Sequence, residues 1–142
     1  MRHLALATVA ALALVSVNCG DSVAPADLVG TWSATKLQFT NQANSSETID
    51  IVAEGGSFTI SILANGTWQA TLAIPDMSPQ VGGGTYDVSG TDLVLFETGD
   101  PVGTDYSISL SGNTLTITST DLTWDFGSGD VAARLDGTLV RQ

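Results

Sequence analysis

The sequence predicts an all-β chain, an up-and-down antiparallel meander that closes into an eight- or nine-stranded barrel. Three observations predict it. Apolar residues recur at every second position over short runs, the pattern of strands with one buried face. Turn residues separate those runs at close intervals, as in Asn65-Gly66, Ser89-Gly90, Gly99-Asp100-Pro101 and Ser111-Gly112-Asn113. No run after residue 27 carries the 3.6-residue apolar period of a helix. A meander of half-buried strands hides its apolar face by curling, and closure also removes edges that invite aggregation. A two-sheet sandwich is the alternative; it is less favoured because its crossings need longer connections than these.

The first element is a leader. Residues 1–18 begin with Arg2 and continue into an apolar stretch, residues 4–17. That stretch is short of the roughly 20 residues that span a bilayer as a helix, and it reads as a secretory signal peptide. The sole cysteine, Cys19, ends the stretch. Its placement resembles a bacterial lipoprotein signal, in which that cysteine carries the lipid, although Ser16 and Asn18 depart from the usual box. Cleavage after Ala24-Pro25-Ala26 is the alternative. On the lipoprotein reading, residues 19–27 are a lipidated tether to a membrane and residues 28–142 the barrel domain. The protein then belongs in the bacterial cell envelope, on an extracytoplasmic face.

The strands follow in order. Gly30-Thr31-Trp32 opens a strand reaching about Thr40, and a weaker one covers about residues 47–53. The clearest hairpin sets Phe58, Ile60 and Ile62 against Trp68, Ala70, Leu72 and Ile74 across Asn65-Gly66. That dipeptide suits a type I′ turn, whose two central residues need positive φ. Gly82-Gly83-Gly84 lacks the Lys and the following helix of a phosphate loop and reads as a flexible lead-in to Tyr86 and Val88. Leu93 and Leu95, then Tyr106, Ile108 and Leu110, then Leu115 and Ile117 continue the alternation. Residues 121–130 form the longest glycine- and acid-rich connection and contain Trp124 and Phe126. The last strand, residues 131–141, places Leu135, Leu139 and Arg141 on one side.

Composition excludes several function classes. Beyond the leader, Lys36, Arg134 and Arg141 stand against fifteen carboxylates, so phosphate neutralisation and nucleic-acid binding are not expected. The one histidine, His3, lies in the leader, which leaves no Ser-His or Cys-His chemistry and no histidine-based zinc site. Three carboxylates at residues 121–130 raise calcium, but neither Asp121 nor Asp125 begins an EF-hand spacing, and no metal or cofactor is expected. Asp87 and Asp92 flank one turn with nothing to desolvate them, so they do not form a glycosidase pair. No enzymatic activity is expected.

The ends of the domain carry a resemblance. Gly30-x-Trp32 at the first strand and Arg141 on the last resemble the lipocalin-like superfamily, and the intervening hairpins look like those of small bacterial lipocalin-like lipoproteins. The likeness covers nearly all of residues 28–142. It implies that Gly30, Trp32 and Arg141 close the barrel structurally, the guanidinium packing over the indole. It also implies a monomer that binds or carries a small hydrophobic molecule. Candidate lining residues are Phe58, Ile60, Trp68, Leu93, Leu95, Tyr106, Ile108, Leu115 and Ile117. The small residues Ala34, Ala70, Ala133 and Gly137 leave room for a void, whereas the scarcity of inward polar groups favours a packed interior. A filled core would point instead to a structural module that contacts protein or carbohydrate. For that role Trp124 and Phe126 are the candidate surface residues, either docked over the barrel mouth or forming an exposed platform.

Overall fold

The computed structural model describes residues 22–142; the expected signal peptide and Cys19 lie outside them. One helical turn, α1 (Pro25–Leu28), precedes nine strands: β1 (Gly30–Asn41), β2 (Thr48–Asp50), β3 (Ser57–Ile62), β4 (Thr67–Ala73), β5 (Gln80–Ser89), β6 (Asp92–Glu97), β7 (Thr104–Ser111), β8 (Thr114–Asp125) and β9 (Asp130–Arg141). Strands β3 to β9 pair antiparallel in chain order, and β1 pairs with both β3 and β9. Eight strands thus close into a barrel, with β2 as an extra strand beside the second half of β1. The expected meander is the observed one, and the sandwich alternative falls because the sheet has no break.

Alternation sets the faces as expected. Phe58 pairs with Leu72, Ile60 with Ala70 and Ile62 with Trp68, so the inward residues of β3 and β4 face one another. The turn between them is not type I′. The Gly66 N–H donates to the Leu63 carbonyl at 3.2 Å, and of the pair only Gly66 has positive φ, 84°. The Asn65 side-chain oxygen accepts from the Thr67 N–H at 3.1 Å and its hydroxyl at 2.6 Å. Those bonds hold the asparagine in an ordinary conformation, leaving a wider turn with its left-handed residue last.

Two bulges interrupt the alternation, and both lie against β9. Between Ala34 and Lys36 β1 carries one extra residue, and β8 carries another between Ser119 and Leu122. A bulge of one residue exchanges inward and outward parity beyond it. Trp32 is therefore buried before the first bulge and Leu37 and Phe39 after it; Leu115 and Ile117 are buried before the second, and Leu122 and Trp124 pack on the core after it. Strand β8 accordingly runs on to Asp125, and residues 121–125, expected as connection, are strand.

The three consecutive glycines lie within β5 and are not a lead-in. Trp68 on β4 pairs with Gly84, and its indole N–H reaches the Phe96 carbonyl on β6 at 3.2 Å. A Cβ at Gly82 would touch the Trp68 ring at 3.4 Å, and one at Gly84 would collide with the Phe96 carbonyl. Glycine here lets a tryptophan lie across a neighbouring strand.

Residues before β1 pack on the barrel. Part of the supposed tether is docked: Val23 is buried, its N–H donates to the Gly90 carbonyl at 2.8 Å, and Leu28 is fully buried at the base of the barrel.

Candidate ligand-binding site

The barrel has two unlike ends. At the end where β1 begins and β9 finishes, Trp32 pairs with Arg141 across β1–β9. The guanidinium carbon lies 4.2 Å from the indole ring centre, and its nitrogens donate to the Val29 carbonyl at 2.6 Å and the Asp27 carbonyl at 2.7 Å. The Trp32 N–H donates to the Leu28 carbonyl at 2.8 Å. One arginine and one tryptophan thus satisfy three carbonyls left by the short α1 and its exit. Gly30 makes the approach feasible, since a Cβ there would lie 2.7 Å from the Arg141 guanidinium. Gly30, Trp32 and Arg141, named together from the sequence, sit together at this end beside α1.

Above this plug the interior is not filled. A cavity of about 460 Å³ lies among Phe58, Ile60, Leu72, Leu93, Leu95, Tyr106, Leu115 and Ile117. Its rim carries Gln80, Glu97, Thr123 and Trp124, all from the strand ends opposite Arg141. A side pocket of about 230 Å³ shares Phe58, Leu95 and Tyr106 with it and adds Trp68 and Gly82. The volume lies within the range of small-molecule sites, and the lining is mainly apolar with a few convergent polar groups.

Of the expected lining residues, Phe58, Ile60, Leu93, Leu95, Tyr106, Leu115 and Ile117 line the main cavity and Trp68 the side pocket. Ile108 lines neither; it is buried, and its N–H donates to the Thr91 carbonyl in the turn at the closed end. Of the small residues, Ala70 lines the side pocket, but Ala133 and Gly137 leave no space. Ala133 is fully buried, and a Cβ at Gly137 would lie 2.7 Å from Ile117, so neighbours already fill those positions.

Trp124 and Phe126 form no exposed platform. The β8 bulge turns Trp124 inward, where it stacks on Phe39 with ring centres 4.1 Å apart and planes 16° from parallel, and Phe126 packs against the core. Leu37, Phe39, Leu72, Gln80, Glu97, Leu122 and Trp124 are lining residues that alternation alone did not single out as a ligand surface. The two bulges place four of them, and no glycine or proline marks either bulge in the sequence.

Electrostatics at the mouth are negative. Burial, reinforced by the charges of Glu97 and Asp121, pushes the Tyr106 phenol from an ordinary 10.0 to about 12. It is therefore a neutral hydrogen-bonding group at physiological pH. In the β8–β9 turn, the Gly127 and Gly129 N–H groups hold the Asp125 carboxyl below its usual range, at 2.7 and 2.8 Å. A second groove, about 630 Å³, runs along the outer wall between Asp92, Asp105, Asp121 and Arg134. Among the described residues no three His, Cys, Asp or Glu come together to hold a metal ion. Comparison with models of known protein families, with characterised proteins and with solved structures finds no match for this chain.

Proposed function

We propose that this chain is a lipocalin-like binding protein of the bacterial envelope, anchored through a lipid on Cys19 after removal of residues 1–18. It holds a small hydrophobic molecule inside its barrel. The observation that carries this reading is the apolar cavity of about 460 Å³, plugged at one end and rimmed by polar groups at the other. Such a space has no role in a barrel that serves only as a rigid support, where packing would fill it. The role is one of binding, with no chemistry assigned to any side chain.

Two measurements test it. The neutral fluorescent probe N-phenylnaphthylamine is expected to bind with micromolar affinity, and Leu95→Trp, which fills the cavity, to abolish that binding while the β-sheet dichroism persists. No binding to the wild-type protein would remove the reading. Fatty-acid labelling in cells is expected for the wild type and not for Cys19→Ala; equal labelling would remove the anchor. A second reading, contact with another protein at the mouth, draws on the exposed apolar residues Met77, Val81 and Val102, which are 56%, 77% and 74% accessible.

A further inference from the structure

Building on the cavity reading, we infer that the barrel selects amphiphiles whose head group donates hydrogen bonds to Glu97, long-chain amines and alcohols, and rejects carboxylates. Glu97 closes β6 and lines both the main cavity and the side pocket. One of its carboxylate oxygens lies 3.6 Å from where a Cβ on Gly82 would sit, beside the far edge of the Trp68 ring. The glycine thus leaves open the space next to the carboxylate. The ion pair found among the described residues joins Arg134 to Asp136, not Glu97 to anything.

Among the described residues nothing at the rim offers the opposite charge. Arg141 is held at the plugged end by two carbonyls and an indole. Arg134 and Lys36 are exposed, and neither lines the cavity. Glu97 is exposed at the rim, and a fatty-acid anion seated beside it would meet a like charge with no cation there to offset it. Deeper in, burial chiefly and the charge of Glu97 in addition raise the Tyr106 phenol, so a further negative charge is disfavoured beside it. A hydroxyl or ammonium head meets the reverse: its N–H or O–H can donate to an ionised acceptor, the stronger class of hydrogen bond, while the alkyl tail lies among Leu, Ile and Phe.

The test displaces N-phenylnaphthylamine from the purified protein with octylamine, octanol, octane and octanoate. Octylamine is expected to bind roughly tenfold and octanol roughly threefold more tightly than octane, with octanoate the weakest. Glu97→Gln should remove the amine preference and raise octanoate towards octane. Asp87→Asn, an equal loss of charge on the exposed outer wall, should do neither. Octanoate binding as tightly as octane to the wild type would overturn the inference, as would the same response in both variants, which would mark the amine preference as general surface attraction. Either result leaves the cavity reading standing, whereas failure of N-phenylnaphthylamine itself to bind removes both.

Discussion

Each end of this barrel carries a tryptophan, and the two indoles are held differently. At the plugged end Trp32 is fully buried, lies under a guanidinium and donates its N–H to a carbonyl. At the mouth Trp124 stacks on Phe39, and its buried N–H has no partner among the described residues. An unpaired buried donor costs about 1–3 kcal/mol relative to a paired one. The plugged end is thus built for stability, and the mouth tolerates a local deficit in return for an aromatic wall around the opening. Third in the set, Trp68 donates to Phe96 and lies between the two. Functional rims commonly carry such deficits because the surrounding sheet can sustain them.

The sharpest way to break the contrast is at the plug. Arg141→Ala removes the cation over Trp32 and strands two carbonyls. We expect a loss of about 2–3 kcal/mol, a drop in Tm of roughly 10 °C; an unchanged Tm would show that Arg141 does not close the barrel. A matched pair comes next. Trp32→Phe should cost about 2 kcal/mol because the Leu28 carbonyl loses its donor, whereas Trp124→Phe keeps the stack, removes the unpaired N–H and should change stability by less than about 0.5 kcal/mol. Equal effects in urea denaturation would refute the distinction.

The smaller effects follow from pH, and they fall on the mouth side alone. The fold favours the protonated Tyr106 phenol, so its contribution is intact below pH 10 and is lost as pH rises through about 12. Alkaline denaturation curves of the wild type and Tyr106→Phe should therefore diverge above pH 10, with the wild type losing more. Asp125 works in the opposite sense. Its folded carboxyl is depressed, so the turn it organises is secure above the ordinary carboxylate range and loosens as pH falls through the lowered value. Amide exchange at Gly127 and Gly129 should show this in acid, and Asp125→Asn should flatten it. The contacts of Arg141, to carbonyls and an indole, should not move over either window.

Much of the wall was legible in the residues. Phe58-Thr59-Ile60-Ser61-Ile62 alternates without interruption and so does Trp68 to Leu72, so partner and face follow, whereas the register is set by a turn wider than the two residues Asn65-Gly66. The pairing of Trp32 with Arg141 was legible through the resemblance that Gly30-x-Trp32 and Arg141 carry, on the first and last strands of the domain. The mouth was not. Thr35 and the pair Thr120-Asp121 are ordinary strand residues, and nothing in them announces that parity changes there. Counting by twos therefore carries Trp124 to the outside, although the fold turns it in. Ser119 supplies a local reason after the fact: its hydroxyl donates to the Asp105 carbonyl at 2.6 Å and accepts the Asp121 N–H at 3.2 Å, stitching the extra residue in place. The glycine run misled in the same way, because its purpose lies in a tryptophan one strand away. Val23 and Leu28 escaped notice since two apolar residues make no period.

If the proposed anchor on Cys19 holds, the bond from Val23 to Gly90 has a consequence for which way the vessel stands. Val23 is bound at the sealed base, and Cys19 lies four positions before it, a reach of no more than roughly 14 Å for a fully extended chain. A lipid on Cys19 would hold the base down on the bilayer with the aperture turned to the water. Cargo would then be handed over across the aqueous compartment, and direct extraction from the underlying leaflet would require the whole cup to tip over.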